Sequence, residues 1–245
     1  MKRKLNALAC LFPFSFIRIF LLNLFGNKVS FKAKIGWGIY LVNKINLDDY
    51  ARIESLNFIR INKVELSKYS FIKSLNYIKG PINLVLGCKS GIARQNKIRR
   101  AYFPVTYGVS ELRLGRNTFI VSNNFLDLTR SISFGDNSQL GGIRSEFWTH
   151  GYLHESVGSG RIRIDGEIYI GDNVYIGSRC LFNPGVNVCD SVNIGSNSVV
   201  SKSLVEPGMY VNQKLKFLKK EINDVLPKLK KIKVEGLIER VYVKR

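Results

Sequence analysis

Both histidines of the chain, His150 and His154, fall in one stretch, EFWTHGYLHESVGSGRIRIDG at residues 146–166, with Trp148, Tyr152 and Glu155 beside them. Imidazole titrates near neutrality, so it can take a proton from a poorly nucleophilic hydroxyl and hand it to a leaving group in the same turnover. His150 is the candidate general base. Trp148 offers a flat face for stacking, although ordinary loop packing would also explain it. His154 or Glu155 could orient the base or hold an acceptor, and surface solvation explains them equally well. Cys10, Cys88, Cys180 and Cys189 form no C-x-x-C pair. Cys88 and Cys180 occupy repeat positions where a small apolar side chain packs, so the expectation is reduced core thiols in a cytoplasmic chain, and no metal.

A loop can do chemistry only when a rigid scaffold holds it, and the scaffold is legible from Ile170 to Val205. There an aliphatic or aromatic residue recurs every sixth position, at Ile170, Ile176, Phe182, Val188, Ile194 and Val200. A second series follows each by four: Val174, Cys180, Val186, Val192, Ser198 and Leu204. A helix repeats near 3.6 residues and a flat strand at 2, so neither accounts for this period. Six residues is the period of a parallel β-helix, in which each hexad is a short strand plus a corner and three hexads close one coil. A Gly-rich antiparallel sandwich would not match at both positions through six consecutive hexads.

The same template runs through Ile35, Leu41, Leu47 and Ile53, then Leu66, Ile72, Ile78 and Leu84, then Leu114, Ile120 and Leu126, and after a two-residue slip Phe134 and Leu140. The period breaks at about 95–111, where Lys97, Arg99 and Arg100 suggest a solvated basic loop, and again at 146–166. The expected organisation is an all-β chain with one solenoid over 29–212, an apolar and basic segment at 1–28, and a basic tail at 213–245. In the tail, Leu215, Leu218 and Ile222 have helical spacing.

The first segment, MKRKLNALACLFPFSFIRIFLLNLFGN, has no small-residue cleavage site, and Pro13 and Arg18 interrupt its apolar run. A short helix from Phe14 to Phe25, with Arg18 and Asn23 facing water, would either cap the first coil or lie on the inner face of an anionic membrane. Composition bounds the partners. An apolar fraction of 45% excludes a disordered chain, and 38 Lys+Arg against 18 Asp+Glu give a net charge of +20. That charge suits anionic ligands, lipids or nucleic acid, but no stacking-aromatic and basic pattern of a nucleic-acid module is present.

The segment VYIGSRCLFNPGVNVCDSVNIGSNSVVSKS, most specifically Val174 to Ser203, resembles the closing coils of the hexapeptide-repeat acyltransferases, which include galactoside, maltose and serine O-acetyltransferases. That resemblance implies a left-handed parallel β-helix, a homotrimer, and acyl-coenzyme A in a cleft between subunits. It places Gly177 and Ser178 on the pantetheine arm, and Ser196, Ser201 and Lys202 toward the pantetheine and adenine end. Where the family has G-x-P-A-K/R, this chain has Val211-Asn212-Gln213-Lys214-Leu215-Lys216, so Lys216 or Lys219 is the expected substitute. The loop FWTHGYLH is similar to that of bacterial polysaccharide and lipopolysaccharide O-acetyltransferases, whose catalytic base stands at the place of His150. The implied activity is transfer of an acetyl group from acetyl-CoA to a hydroxyl of a surface polysaccharide or its lipid-linked precursor, with Trp148 against a sugar or pantetheine. A sugar-nucleotide N-acyltransferase and a non-catalytic binding solenoid are the competing expectations. A zinc lyase of the same fold needs three histidines, and this chain has 2.

Overall fold

The inward residues of the repeat stack in register, as in the row Ile53, Ile72, Ile92, Ile120, Leu140, Ile176 and Ile194, each paired with the next along parallel strands. All are at most 4% exposed. The computed structural model describes residues 2–212, Pro227, 229–231 and 242–244. Two compact units result, Met1–Asn212 and Gln213–Arg245. In the second unit, Leu229–Lys231 pairs antiparallel with Tyr242–Lys244. The helix expected through Leu215, Leu218 and Ile222 lies outside the described residues, as do Lys216 and Lys219.

The first unit is a left-handed parallel β-helix whose three sheets have 8, 9 and 8 strands. Each coil contributes one short strand to the first, second and third sheet in turn. At the corner between first and second sheets, Tyr50, Tyr69, Lys89, Asn117, Asn137, Asn173 and Ser191 are left-handed; at the next corner Leu56, Leu75, Gln95, Asn123, Arg144, Arg179 and Asn197 are, with φ between 54° and 64° throughout. Non-glycine residues avoid this region, so its recurrence in coil after coil marks what a tight corner demands. No such residue occupies the third corner, between third and first sheets, and both long excursions leave the solenoid there: residues 100–109, and the hairpin His150–His154 with Arg161–Asp165.

The structure corrects four details of the sequence pattern. Leu41 is half-buried and its neighbour Tyr40 points inward at 2% exposure. Cys88 is half-buried, and Ser90, fully buried, holds the inward place. The first coil reaches Tyr40 five residues after Ile35, one short of a hexad, while the coil of Cys88 reaches Leu86 eight residues after Ile78, and each change shifts the frame. Lys97–Arg99 is not loop but a third-sheet strand paired with Tyr77–Lys79 and Phe125–Asp127. Arg100 is 4% exposed and donates to the carbonyls of Pro81, Tyr107 and Gly108, so it anchors the excursion that follows it. Finally, Arg18 does not face water. It is 5% exposed and donates through Nε to the Ile35 carbonyl at 2.9 Å and through Nη1 to that of Phe12.

Arg18 sits in the second of two helices, α1 (Lys2–Cys10) and α2 (Ser15–Leu24). Their Ala9, Cys10, Ile19 and Leu22 join the core at the end of the first coil. Burial pushes the Cys10 thiol up to about 12, so it stays protonated and packs as an apolar group. Asn23, half-buried, exchanges two 2.8 Å hydrogen bonds with the Val29 backbone, which joins the helices to the first strand.

A ladder of buried asparagines runs up the second corner. Asn76 N–H donates to Asn57 Oδ1 at 2.8 Å, Asn96 N–H to Asn76 Oδ1, Asn124 N–H to Asn96 Oδ1 and Ser145 N–H to Asn124 Oδ1, the last three at 2.9 Å. Asn96→Ala should cost about 1–3 kcal/mol, because it strands the buried Asn124 N–H without water to replace its partner. Urea unfolding measures this, and a change under a few tenths of a kcal/mol would mean that the ladder is not a stabilising device.

Candidate active site

The two excursions leave the third corner two coils apart and face each other across the corner of the coil between them. That intervening corner supplies Asp127, at the end of the strand Phe125–Asp127, and Thr129 just beyond it. The hairpin brings His150 down against them. Arg163, on the hairpin's returning strand, donates through Nη1 to the Val105 carbonyl of the other excursion and pairs with Asp165 at 2.8 Å. The excursions are thereby tied together. Between them lies a cavity of about 240 Å³ lined by Arg99, Arg100, Phe125, Asp127, Trp148, His150, Tyr152 and Arg163, among others.

His150 Nδ1 lies 2.8 Å from Asp127 Oδ2. The carboxylate accepts only, so this contact places the ring proton on Nδ1 and leaves Nε2 with a free lone pair. Asp127 is itself fixed: Thr149 donates to Oδ2 through its hydroxyl at 2.9 Å and its N–H at 3.3 Å, and the Thr129 hydroxyl donates to Oδ1 at 3.2 Å. The two side chains are 23% and 9% exposed, so the carboxylate is sheltered while the imidazole opens on the cavity. Such a pair can act as a base with a chosen tautomer, the carboxylate holding the ring through Nδ1.

Trp148 stands edge-on to His150 at 5.9 Å between ring centroids, packs on Phe125 at 4.9 Å, and donates its indole N–H to Glu146 at 2.8 Å. Tyr152 makes a second edge contact with His150 at 5.8 Å. His154 and Glu155 are exposed at the far end of the hairpin, opposite Arg161, about 13 Å along the strand from His150. The structure does not bring them to the base. Asp127 and Thr129 were not singled out from the sequence. One signal was available. The register position of Asp127 is Arg99, Lys79 and Arg60 in successive lower coils, so an acid replaces a run of bases in a strongly basic chain.

No protein-family profile matches the chain. Among solved structures, a maltose O-acetyltransferase from Clostridium difficile 630 is 24% identical, over 55% of this chain and 69% of that one, with a TM-score of 0.42. A polysialic acid O-acetyltransferase is 14% identical, over 81% and 91%, with a TM-score of 0.44. In sequence, 105 residues are 32% identical to the galactoside O-acetyltransferase of Escherichia coli K12. Over those residues the repeat region is similar to an enzyme of the hexapeptide-repeat acyltransferase kind. The match takes in 40% of this chain and spans about half, 48%, of the curated relative's length.

In this hexapeptide-repeat chain the candidate donor residues fall on two edges of the third sheet. Gly177, Ser178 and Ser196 meet at the second corner of the upper coils: Ser178 N–H donates to Ser196 Oγ at 3.1 Å, and Ile143 N–H to Ser178 Oγ at 3.1 Å. The close approach explains the glycine, since a Cβ on Gly177 would stand 2.7 Å from Ser196 N. Ser201 and Lys202 are exposed at the third corner, the one from which the hairpin leaves, two coils above it. The width of the sheet therefore separates the two groups.

Proposed function

We propose that the protein is a coenzyme A-dependent O-acyltransferase that moves an acetyl group from acetyl-CoA to a sugar hydroxyl of a bacterial surface polysaccharide or its lipid-linked precursor, with His150 as general base. The observation that carries this reading is the 2.8 Å contact of His150 Nδ1 with the sheltered Asp127 carboxylate, at the cavity between the two excursions. The reaction named for the 32% identical relative is of the same class. An acceptor hydroxyl beside Nε2 gives up its proton as its oxygen bonds to the thioester carbonyl carbon. The tetrahedral adduct then collapses, the C–S bond breaks, and the departing thiolate takes the proton back from Nε2–H. No acyl-enzyme forms, and positioning supplies a large share of the rate.

The cavity lining sets Arg99, Arg100 and Arg163 against Asp127, with Asp165 paired to Arg163. That balance favours an anionic reactant, whether coenzyme phosphates or an acidic sugar. Trp148 and Tyr152 supply faces for a sugar ring or pantetheine. Donor contacts on both edges of the third sheet suit a cleft closed by a neighbouring copy in a homotrimer, and Val199, Met209 and Val211, 65–74% exposed, are apolar surface for such packing.

Free-thiol release from acetyl-CoA, measured against soluble galactosides, amino sugars and bacterial glycans, tests the reading. Release that requires a hydroxyl acceptor is the expected result. Release only with amino sugars would reassign the chain to N-acylation, and no release with no coenzyme A binding would make it a non-catalytic solenoid.

A further inference from the structure

The helical cap has a second face. On α2, Phe16, Phe20 and Leu24 are spaced i, i+4 and i+8, so they share one side of the helix, opposite the buried Arg18, Ile19 and Leu22. They are 67%, 58% and 68% exposed. The turn between the helices adds Leu11, Phe12 and Phe14, exposed by 48%, 46% and 59%. Arg18 pins that turn from inside through the Phe12 carbonyl. Phenylalanines clustered this way on a surface mark a site that something covers.

Charge says what. The sequence contains no Asp or Glu before Asp48, while Lys2, Arg3, Lys4, Arg18, Lys28, Lys32, Lys34 and Lys44 precede it. Lys4, Lys28, Lys32 and Lys34 are exposed around the cap and the first coil. An apolar helical stripe bordered by bases is the arrangement that lies in the headgroup layer of an anionic bilayer. A second copy of this chain is a poor occupant, because it would bring a second carboxylate-free basic segment against the first.

We propose that α1 and α2 seat the solenoid end-on at an anionic lipid surface, with Phe16, Phe20 and Leu24 inserted among the acyl chains and the surrounding lysines at the headgroups. The third-corner hairpin leaves the solenoid five coils above the first, so at ~4.8 Å per coil it would stand about 24 Å beyond the first coil, with the helices between that coil and the lipid. The binding inference does not rest on the acyltransferase reading.

The test is co-sedimentation of the full-length protein with phosphatidylglycerol-containing vesicles and with pure phosphatidylcholine vesicles. Expected is binding to the anionic vesicles that salt weakens, and roughly a 10-fold or greater loss in the double variant Phe16→Ser, Phe20→Ser with its unfolding midpoint unchanged. These side chains point away from the core, so the variant should fold. Anionic-vesicle binding that the variant retains in full would move the contact to the basic tail and overturn the proposal. No binding by the unaltered protein would overturn it too, as would a variant whose only change is a smaller assembly in light scattering.

Discussion

His150→Ala should lower acetyl transfer by about 10²–10⁴-fold, the usual worth of a positioned general base, with little change in the KM for acetyl-CoA. The ring is partly exposed, and without its bond to Asp127 the carboxylate still accepts from Thr129 and Thr149, so the variant should unfold close to the native midpoint. Asp127→Asn separates positioning from chemistry. An amide can donate to Nδ1 as well as accept from it, and when it donates, the imidazole carries its proton on Nε2 and can no longer act as base. Transfer should then fall by a similar order. Thiol release with both variants checks this. Near-normal turnover by His150→Ala would remove the mechanism proposed above, whereas near-normal turnover by Asp127→Asn would reduce the carboxylate to a packing group.

The second large effect is on stability. Phe147 is fully buried, stacks on Phe182 at 4.2 Å with 8° between the ring planes, and leans on Phe134 at 5.6 Å. Phe147→Ala empties the middle of that aromatic column, and the backbone ladders on either side keep the strands from closing the gap. A loss of about 3–5 kcal/mol is expected. Because residue 147 precedes Trp148 and the hairpin, activity should fall at temperatures below the global transition. Denaturant unfolding followed beside thiol release measures both, and a loss under about 1 kcal/mol would mean that the column relaxes far more than a packed core does.

Inward aliphatics announce themselves because stacking imposes one period on all of them, which is why the solenoid was readable from Ile170 to Val205. Reading fails where a corner changes length: the corner before Tyr40 is one residue short of a hexad, so Leu41 scans as inward, and the one before Leu86 is two residues too long, so Cys88 scans in the place of Ser90. His150 stood out as an imidazole in an interruption of the period. Asp127 did not, because it sits inside a regular hexad, and its partner is 23 residues away across a coil. Arg18 was misplaced for a related reason. An arginine in an apolar helix reads as its water-facing side, and only the tertiary fold shows two carbonyls waiting at the end of the solenoid.

The asparagine ladder has a direction. In each of its steps from Asn57 to Ser145, the earlier coil supplies the side-chain oxygen and the later coil supplies the backbone N–H. A closed coil therefore presents a side-chain acceptor aimed at its successor, and the successor's backbone accepts in return, as the Asn76 carbonyl does from Phe58 N–H and the Asn96 carbonyl from Tyr77 N–H. Each of these corners is thereby clasped twice, once by the backbone ladder and once by a side chain that belongs to the earlier coil.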